Sequence, residues 1–184
     1  MNTKETMHPD CEKILFSEET IQKRIEEVAA EVDKALPHDS VIAICVLNGA
    51  VMFFADLVRK LHHDIQFDFM SVSSYGDGTT SGALKIKKDI SANVKGKDVL
   101  IVEDIIDSGR TLMLLKKLLE DRGAASVKIV TLLNKPSRRE VDMYSDFNCF
   151  DVGNEFIIGY GLDYAQQYRS LPYIGILKRE IYEK

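Results

Sequence analysis

A chain of 184 residues with 45% hydrophobic residues holds enough apolar side chain for one ordinary core and too little for two, so composition predicts a single domain. A formal net charge of −5 and a pI of about 5.4 exclude a protein built to coat nucleic acid or an anionic membrane, since either partner would repel it at long range. Cys11, Cys45 and Cys149 are odd in number and widely spaced, which reads as reduced thiols, and the histidines show no zinc-ligand spacing.

In chain order, residues 1–12 carry no pattern beyond mixed polarity and are expected to be flexible, leaving 13–184 as the domain. After Ser17, an N-cap residue, Glu18 to Leu36 places Ile21, Ile25, Val28, Val32 and Leu36 at three- and four-residue steps, which predicts an amphipathic helix ended by Pro37. Val41 to Leu47 is a continuous apolar run that suits a strand buried on both faces. Asn48 and Gly49 break it, and the next helix should turn Val51, Phe54, Ala55 and Val58 inward. Ile65 to Val72 reads as a strand, residues 73–82 as a loop rich in Gly, Ser and Thr, and Leu84 to Ile90 as a half-exposed strand pairing back across that loop. Val99 to Val102 is a strand, Arg110 to Arg122 a helix stopped by Gly123, and Val127 to Leu133 another strand. The aromatic and glycine-rich remainder reads as strands and turns. No apolar run approaches the roughly 18 residues of a membrane span, and the polar N-terminus lacks a signal-like apolar stretch, so a cytoplasmic protein without a membrane partner is expected.

This alternation predicts an α/β fold, a mainly parallel twisted sheet flanked by helices, with its ligand beyond the carboxyl ends of the strands. The stretch VEDIIDSGRT, 102–111, stands at such an end. A helix N-terminus there offers free N–H groups and a favourable dipole to a phosphate. Gly109 permits close approach of the backbone, and Ser108 and Thr111 add hydroxyls. Glu103, Asp104 and Asp107 cannot serve the same anion. Beside a phosphate cradle they suit sugar hydroxyls or Mg²⁺ held through water, so the ligand should combine phosphate, a diol and a metal. Capping alone needs only one or two such groups, fewer than are present.

VEDIIDSGRTL resembles the phosphoribosyl-diphosphate (PRPP) motif of type I phosphoribosyltransferases, in the form found in their 6-oxopurine, hypoxanthine-guanine branch, where an acid stands at the position of Asp107. The resemblance runs from about residue 14 to 179 and includes LNGA at 47–50, SSYG at 73–76, LLNKPSRR at 132–139 and EFIIGYGLDYAQQYRSLPYIG at 155–175. It implies a small hood built from the N- and C-terminal segments. It also implies transfer of the phosphoribosyl group from PRPP to hypoxanthine, and to guanine, forming IMP or GMP and pyrophosphate with Mg²⁺ as cofactor.

The same resemblance implies the site residues. Glu103 and Asp104 would bind the ribose hydroxyls. Asp107 would take or share the proton at purine N7, and with Ser108, Gly109, Arg110 and Thr111 it would form the 5-phosphate loop. Lys135 would donate to the 6-oxo group, Phe156 would stack on the purine, and Ile157 would present backbone groups to the base edge. Asp163 would lie near the metal and the pyrophosphate, giving Glu103, Asp104 and Asp163 as the acids around Mg²⁺. Leu47, Asn48 and Gly49, in a turn that often holds a cis peptide, and Arg169 would contact pyrophosphate. Many relatives have Lys where this chain has Asn48. Ser74 and Tyr75 would belong to a lid over residues 74–82. A homodimer or homotetramer is implied, with the first helix and the FFADL helix as candidate interfaces. The rival reading, a PRPP- or nucleotide-binding regulator of the same fold, calls for a basic RNA-binding face and no acid at position 107.

Overall fold

The computed structural model describes residues 6–36, 40–74 and 84–183. Helix α1, Glu18–Ala35, begins as its sequence dictates: the Ser17 hydroxyl accepts from the Thr20 amide at 3.2 Å, and Glu18 and Glu19 occupy the positive first turn. Its buried stripe is Ile21, Ile25, Val28 and Val32, continued by Leu36. Strand β2, Ser40–Val46, lies between β3, Asp64–Ser74, and β5, Asp98–Ile106, and β5 pairs with β6, Ser126–Asn134, all in parallel. Strand β7, Phe147–Asp151, extends the sheet in parallel on one side, and β4, Leu84–Lys88, closes the other, antiparallel to β3. Lys85, Lys87 and Lys88 are exposed on that edge strand, where charge discourages pairing with another chain. Among the described residues the sheet order is β4-β3-β2-β5-β6-β7, the mainly parallel, helix-flanked architecture that the alternation predicts.

The continuous apolar runs are explained by burial on both faces. Val41, Ala43 and Cys45 of β2 and Leu100 and Val102 of β5 point toward α1 and α2, Val51–Val58. Ile42, Ile44, Val99 and Ile101 point the other way, toward Leu112, Leu115 and Leu119 of α3, Arg110–Asp121. A second sheet, in the order β1-β9-β8, joins β1, Cys11–Phe16, to β9, Ile174–Leu177, and β8, Ile157–Ile158. This is the hood of N- and C-terminal segments. The chain closes with the short helix α4, Arg179–Tyr182.

Three expectations are corrected here. In α2 the inward residues are Phe53, Phe54, Leu57 and Val58, while Val51 and Ala55 are exposed; the adjacent phenylalanines carry the largest apolar area and set the rotation of the helix. The aliphatic stripe of α1 belongs to the core, so that face is not available as a subunit contact. The boundary expected after residue 12 is not where the structured chain begins. Strand β1 starts at Cys11, the His8 amide donates to the Tyr173 hydroxyl at 2.7 Å, and the Tyr168 hydroxyl donates to Asp10 at 2.8 Å. Among the described residues no helix is long and apolar enough to cross a membrane.

Candidate active site

Strand β5 continues four residues beyond Val102, still paired with β6 through Glu103–Thr131 and Ile105–Leu133, so the acidic pair lies within the strand's last turnout toward the rim. Glu103 is only 9% exposed. Its Oε1 accepts from the Asp104 amide at 3.2 Å, and Asp104 Oδ1 accepts from the Ile105 amide at 2.8 Å. Burial pushes the Glu103 carboxyl well above the usual carboxylate range, and the neighbouring Asp104 charge pushes it further. Asp104 is raised as well, by burial, against the lowering effects of the Glu103 carboxyl, the Ile105 amide and the Arg169 guanidinium.

Gly49, in the turn after β2, owes its identity to this pair: a Cβ there would lie 1.5 Å from Asp104 Oδ2. A Cβ on Gly161 in turn would lie 2.0 Å from the Gly49 carbonyl oxygen, so the hood turn rests directly on the Leu47–Gly49 loop. The peptide between Leu47 and Asn48 is cis.

Gly109 caps α3 in the left-handed region, φ +84°, and has no side chain with which to cap it; the Arg110 amide donates to Ser108 Oγ at 3.4 Å. A cavity of about 180 Å³ lies here, walled by Glu103, Ile105, Asp107, Ser108, Gly109 and Thr111. Behind the loop stands the segment after β6. Arg139 donates to the Asp107 carbonyl and, at 2.5 Å, to the Asn134 side chain; the Glu140 amide donates to the Ser108 carbonyl at 3.0 Å; and Arg110 pairs with Glu140 at 2.6 Å.

A second cavity, of about 240 Å³, has Lys135, Phe156, Ile157 and Asp163 in its wall together with Ile105 and Asp107. Asp107 and Ile105 therefore face both spaces. Asp107 Oδ1 is 2.9 Å from Arg138 Nε but has no aligned hydrogen-bond donor. Lys135, 7% exposed, donates to the Glu155 carbonyl at 2.9 Å. Burial draws its ammonium below the usual lysine range, and the Asp107 charge acts in the opposite direction. Asp163 pairs with Arg169 at 2.9 Å and accepts from the Gln166 amide at 2.8 Å, while Arg169 also donates to the Gly161 carbonyl at 2.8 Å.

The structure places Glu103, Asp107, Ser108, Gly109 and Thr111 around the first cavity and Asp107, Lys135, Phe156, Ile157 and Asp163 around the second; Gly49 abuts Asp104 and Arg169 pairs with Asp163, while Arg110 turns to Glu140. Among the described residues no three Asp, Glu, His or Cys side chains gather to hold a metal, so Glu103, Asp104 and Asp163 do not form a protein cage. Ser74 ends β3, while Tyr75 and the rest of the lid fall outside the described residues. Arg138 and Arg139 were missed as individual contributors; the signal was their adjacency to Lys135 in KPSRR, basic residues clustered just past a strand in an acidic chain.

A mainly parallel sheet with helices on both faces, a strand-to-helix loop at its carboxyl edge and an acidic pair beside that loop is the architecture of the α/β phosphoribosyltransferase class. The chain belongs to the phosphoribosyltransferase family: the phosphoribosyl transferase domain model matches residues 13–165. It is 52% identical over 178 residues to the hypoxanthine-guanine phosphoribosyltransferase of Bacillus subtilis, covering 96% of this chain and 99% of that one. It is 49% identical over 179 residues to the enzyme of that name from Streptococcus thermophilus, covering 97% and 99%. Among solved structures, a hypoxanthine phosphoribosyltransferase from Staphylococcus aureus superposes with a TM-score of 0.92 at 41% identity, covering 99% of this chain and 100% of that one.

Proposed function

We propose that this chain is a purine salvage enzyme that transfers the 5-phosphoribosyl group from PRPP to N9 of hypoxanthine, and of guanine, releasing pyrophosphate. The observation that carries this reading is the position of Asp107, shared between the phosphate-loop cavity and the cavity of Lys135 and Phe156. A group there can hold the N7 proton of a purine whose N9 faces C1 of a ribose anchored by its 5-phosphate.

In this reading residues 107–111 bind the 5-phosphate through backbone N–H groups and hydroxyls, and Glu103 and Asp104 accept the ribose hydroxyls. Their negative charge also suits the cationic sugar of an oxocarbenium-like transition state. Lys135 donates to the 6-oxo group, Phe156 stacks on the ring, and Ile157 presents its backbone to the base edge. Leu47, Asn48, Gly49 and Arg169 receive pyrophosphate, and Ser74 and Tyr75 belong to the lid. Mg²⁺ fits a site with carboxylates but no protein cage, because it is commonly held by one or two carboxylates together with substrate oxygens. Glu103, Asp104 and Asp163 are the acids that would hold it, and a bound Mg²⁺ would supply positive charge beside the pyrophosphate oxygens. A cytoplasmic homodimer or homotetramer completes the reading; the three free cysteines fit a reducing compartment.

The test is initial rates with PRPP and Mg²⁺ against hypoxanthine, guanine, xanthine, adenine and uracil, for the wild type and Asp107→Ala. The expected result is turnover of 6-oxopurines but not of adenine or uracil, with the variant slowed by about 10²–10⁴-fold, the usual contribution of a positioned proton acceptor. PRPP binding without turnover of any base would overturn the reading in favour of a regulator.

A further inference from the structure

We infer that Tyr182, in the last turn of the chain, positions Phe156 for the purine base. This deepens the proposed function and rests on it. The rings of Phe156 and Tyr182 are tilted against each other, centroids 5.0 Å apart at 31°, while the Tyr164 ring stands perpendicular to Phe156 at 5.3 Å and 90°. Tyr182 is held there by the hood. The Leu177 amide of β9 donates to the Phe156 carbonyl at 2.8 Å, the Lys178 amide donates to the Asp10 carbonyl at 3.0 Å, and the Glu183 amide closes α4 on the Arg179 carbonyl at 2.8 Å.

The cavities show on which side of Phe156 the tyrosine lies. Phe156 is part of the wall of the base cavity, and Tyr182 is not. Tyr182 instead lines a neighbouring cavity of about 490 Å³ with Glu12 and Arg179, and Phe156 has no part in that wall; the two spaces share Asn154 and Glu155. Tyr182 therefore backs the phenyl ring from the side away from the base. A ring packed against both Tyr164 and Tyr182 is held in one orientation, and a base that stacks on it loses less to ordering the ring. Tyr182 touches no reacting atom and acts only through Phe156.

The experiment compares Tyr182→Leu and Tyr182→Phe with the wild type, measuring KM for hypoxanthine, KM for PRPP, kcat and Tm. An aromatic pair has a modest energy, so the leucine variant should raise the KM for hypoxanthine between about two- and tenfold. KM for PRPP, kcat and Tm should stay at wild-type values, and the phenylalanine variant should restore the base KM. An unchanged base KM in Tyr182→Leu would overturn the inference. So would a parallel rise of both KM values with a lowered Tm, the mark of a merely structural residue. Absence of wild-type turnover would instead refute the proposed function, so the two failures are distinguishable.

Discussion

Alanine at position 49 would place its Cβ 1.5 Å from Asp104 Oδ2 and 2.5 Å from its Cγ. The obstacle is space alone, and Asp104 cannot give way cheaply because its carboxylate accepts from the Ile105 amide at 2.8 Å. Gly49→Ala should therefore displace the acid proposed to hold the ribose and lower kcat/KM for PRPP by about 10²-fold, as an ångström-scale misplacement does. Circular dichroism should show the fold retained, and wild-type kinetics in this variant would contradict the role given to Asp104. The Asp104–Gly49 contact could not be read from the sequence, where Asn48-Gly49 looks only like the end of a strand. Asp104 stood out because it lies within one contiguous motif, whereas its partner lies 55 positions away by number and adjoins it only through the pairing of β2 with β5.

At the scale of elements, the β3–β4 hairpin is held at its base by one buried acid. Asp68 accepts from the amides of Phe69, Ser91 and Ala92, each at 2.7 Å. Burial by itself would raise this carboxyl, but the three amides and the nearby Lys88 ammonium outweigh it, and the group sits below the ordinary carboxylate range. A depressed folded value means that the ionised form stabilises the fold above the unfolded pKa of about 3.9, and that this contribution is lost as pH falls through the folded value. Asp68→Asn should cost about 1–3 kcal/mol at pH 7, the cost of leaving buried amides without their acceptor. The gap between wild type and variant in chemical denaturation should close below pH 4; a gap independent of pH would show that the charge does not matter. Elements with a complete local signal were legible: the capped, striped α1 and the stop at Gly123, φ +85°. The rotation of α2 was not, because in a short and mostly apolar helix the periodicity leaves several faces nearly equivalent.

For the whole molecule, the proposed site draws on the turn after β2, the ends of β5 and β6, the start of α3 and the hood, so a ligand that spans them should tie the fold together. PRPP at about 100 times its Kd should add ~2.7 kcal/mol, which for a domain of this size raises Tm by about 5–10 °C. Removing Mg²⁺ with a chelator should shrink that shift, given that no three-acid cage occurs among the described residues and the ion would need the oxygens of the substrate. Thermal shift assays with and without Mg²⁺ check this: equal shifts would remove the metal from PRPP binding, and no shift would argue against PRPP as the ligand.

The sequence by itself determined the alternation of strands and helices, the strand-to-helix junction at Asp107–Thr111 and the acids beside it, since caps, periodicity and a contiguous motif are written within a few residues of one another. Only the tertiary structure decided that Cys11–Phe16 is a strand, because its partner is β9 and Cys11 faces Leu177. It alone placed Arg139 behind the phosphate loop, Gly161 upon Gly49 and Tyr182 behind Phe156. These contacts depend on strand order and on close approach between distant segments, and neither quantity has a local imprint in the chain.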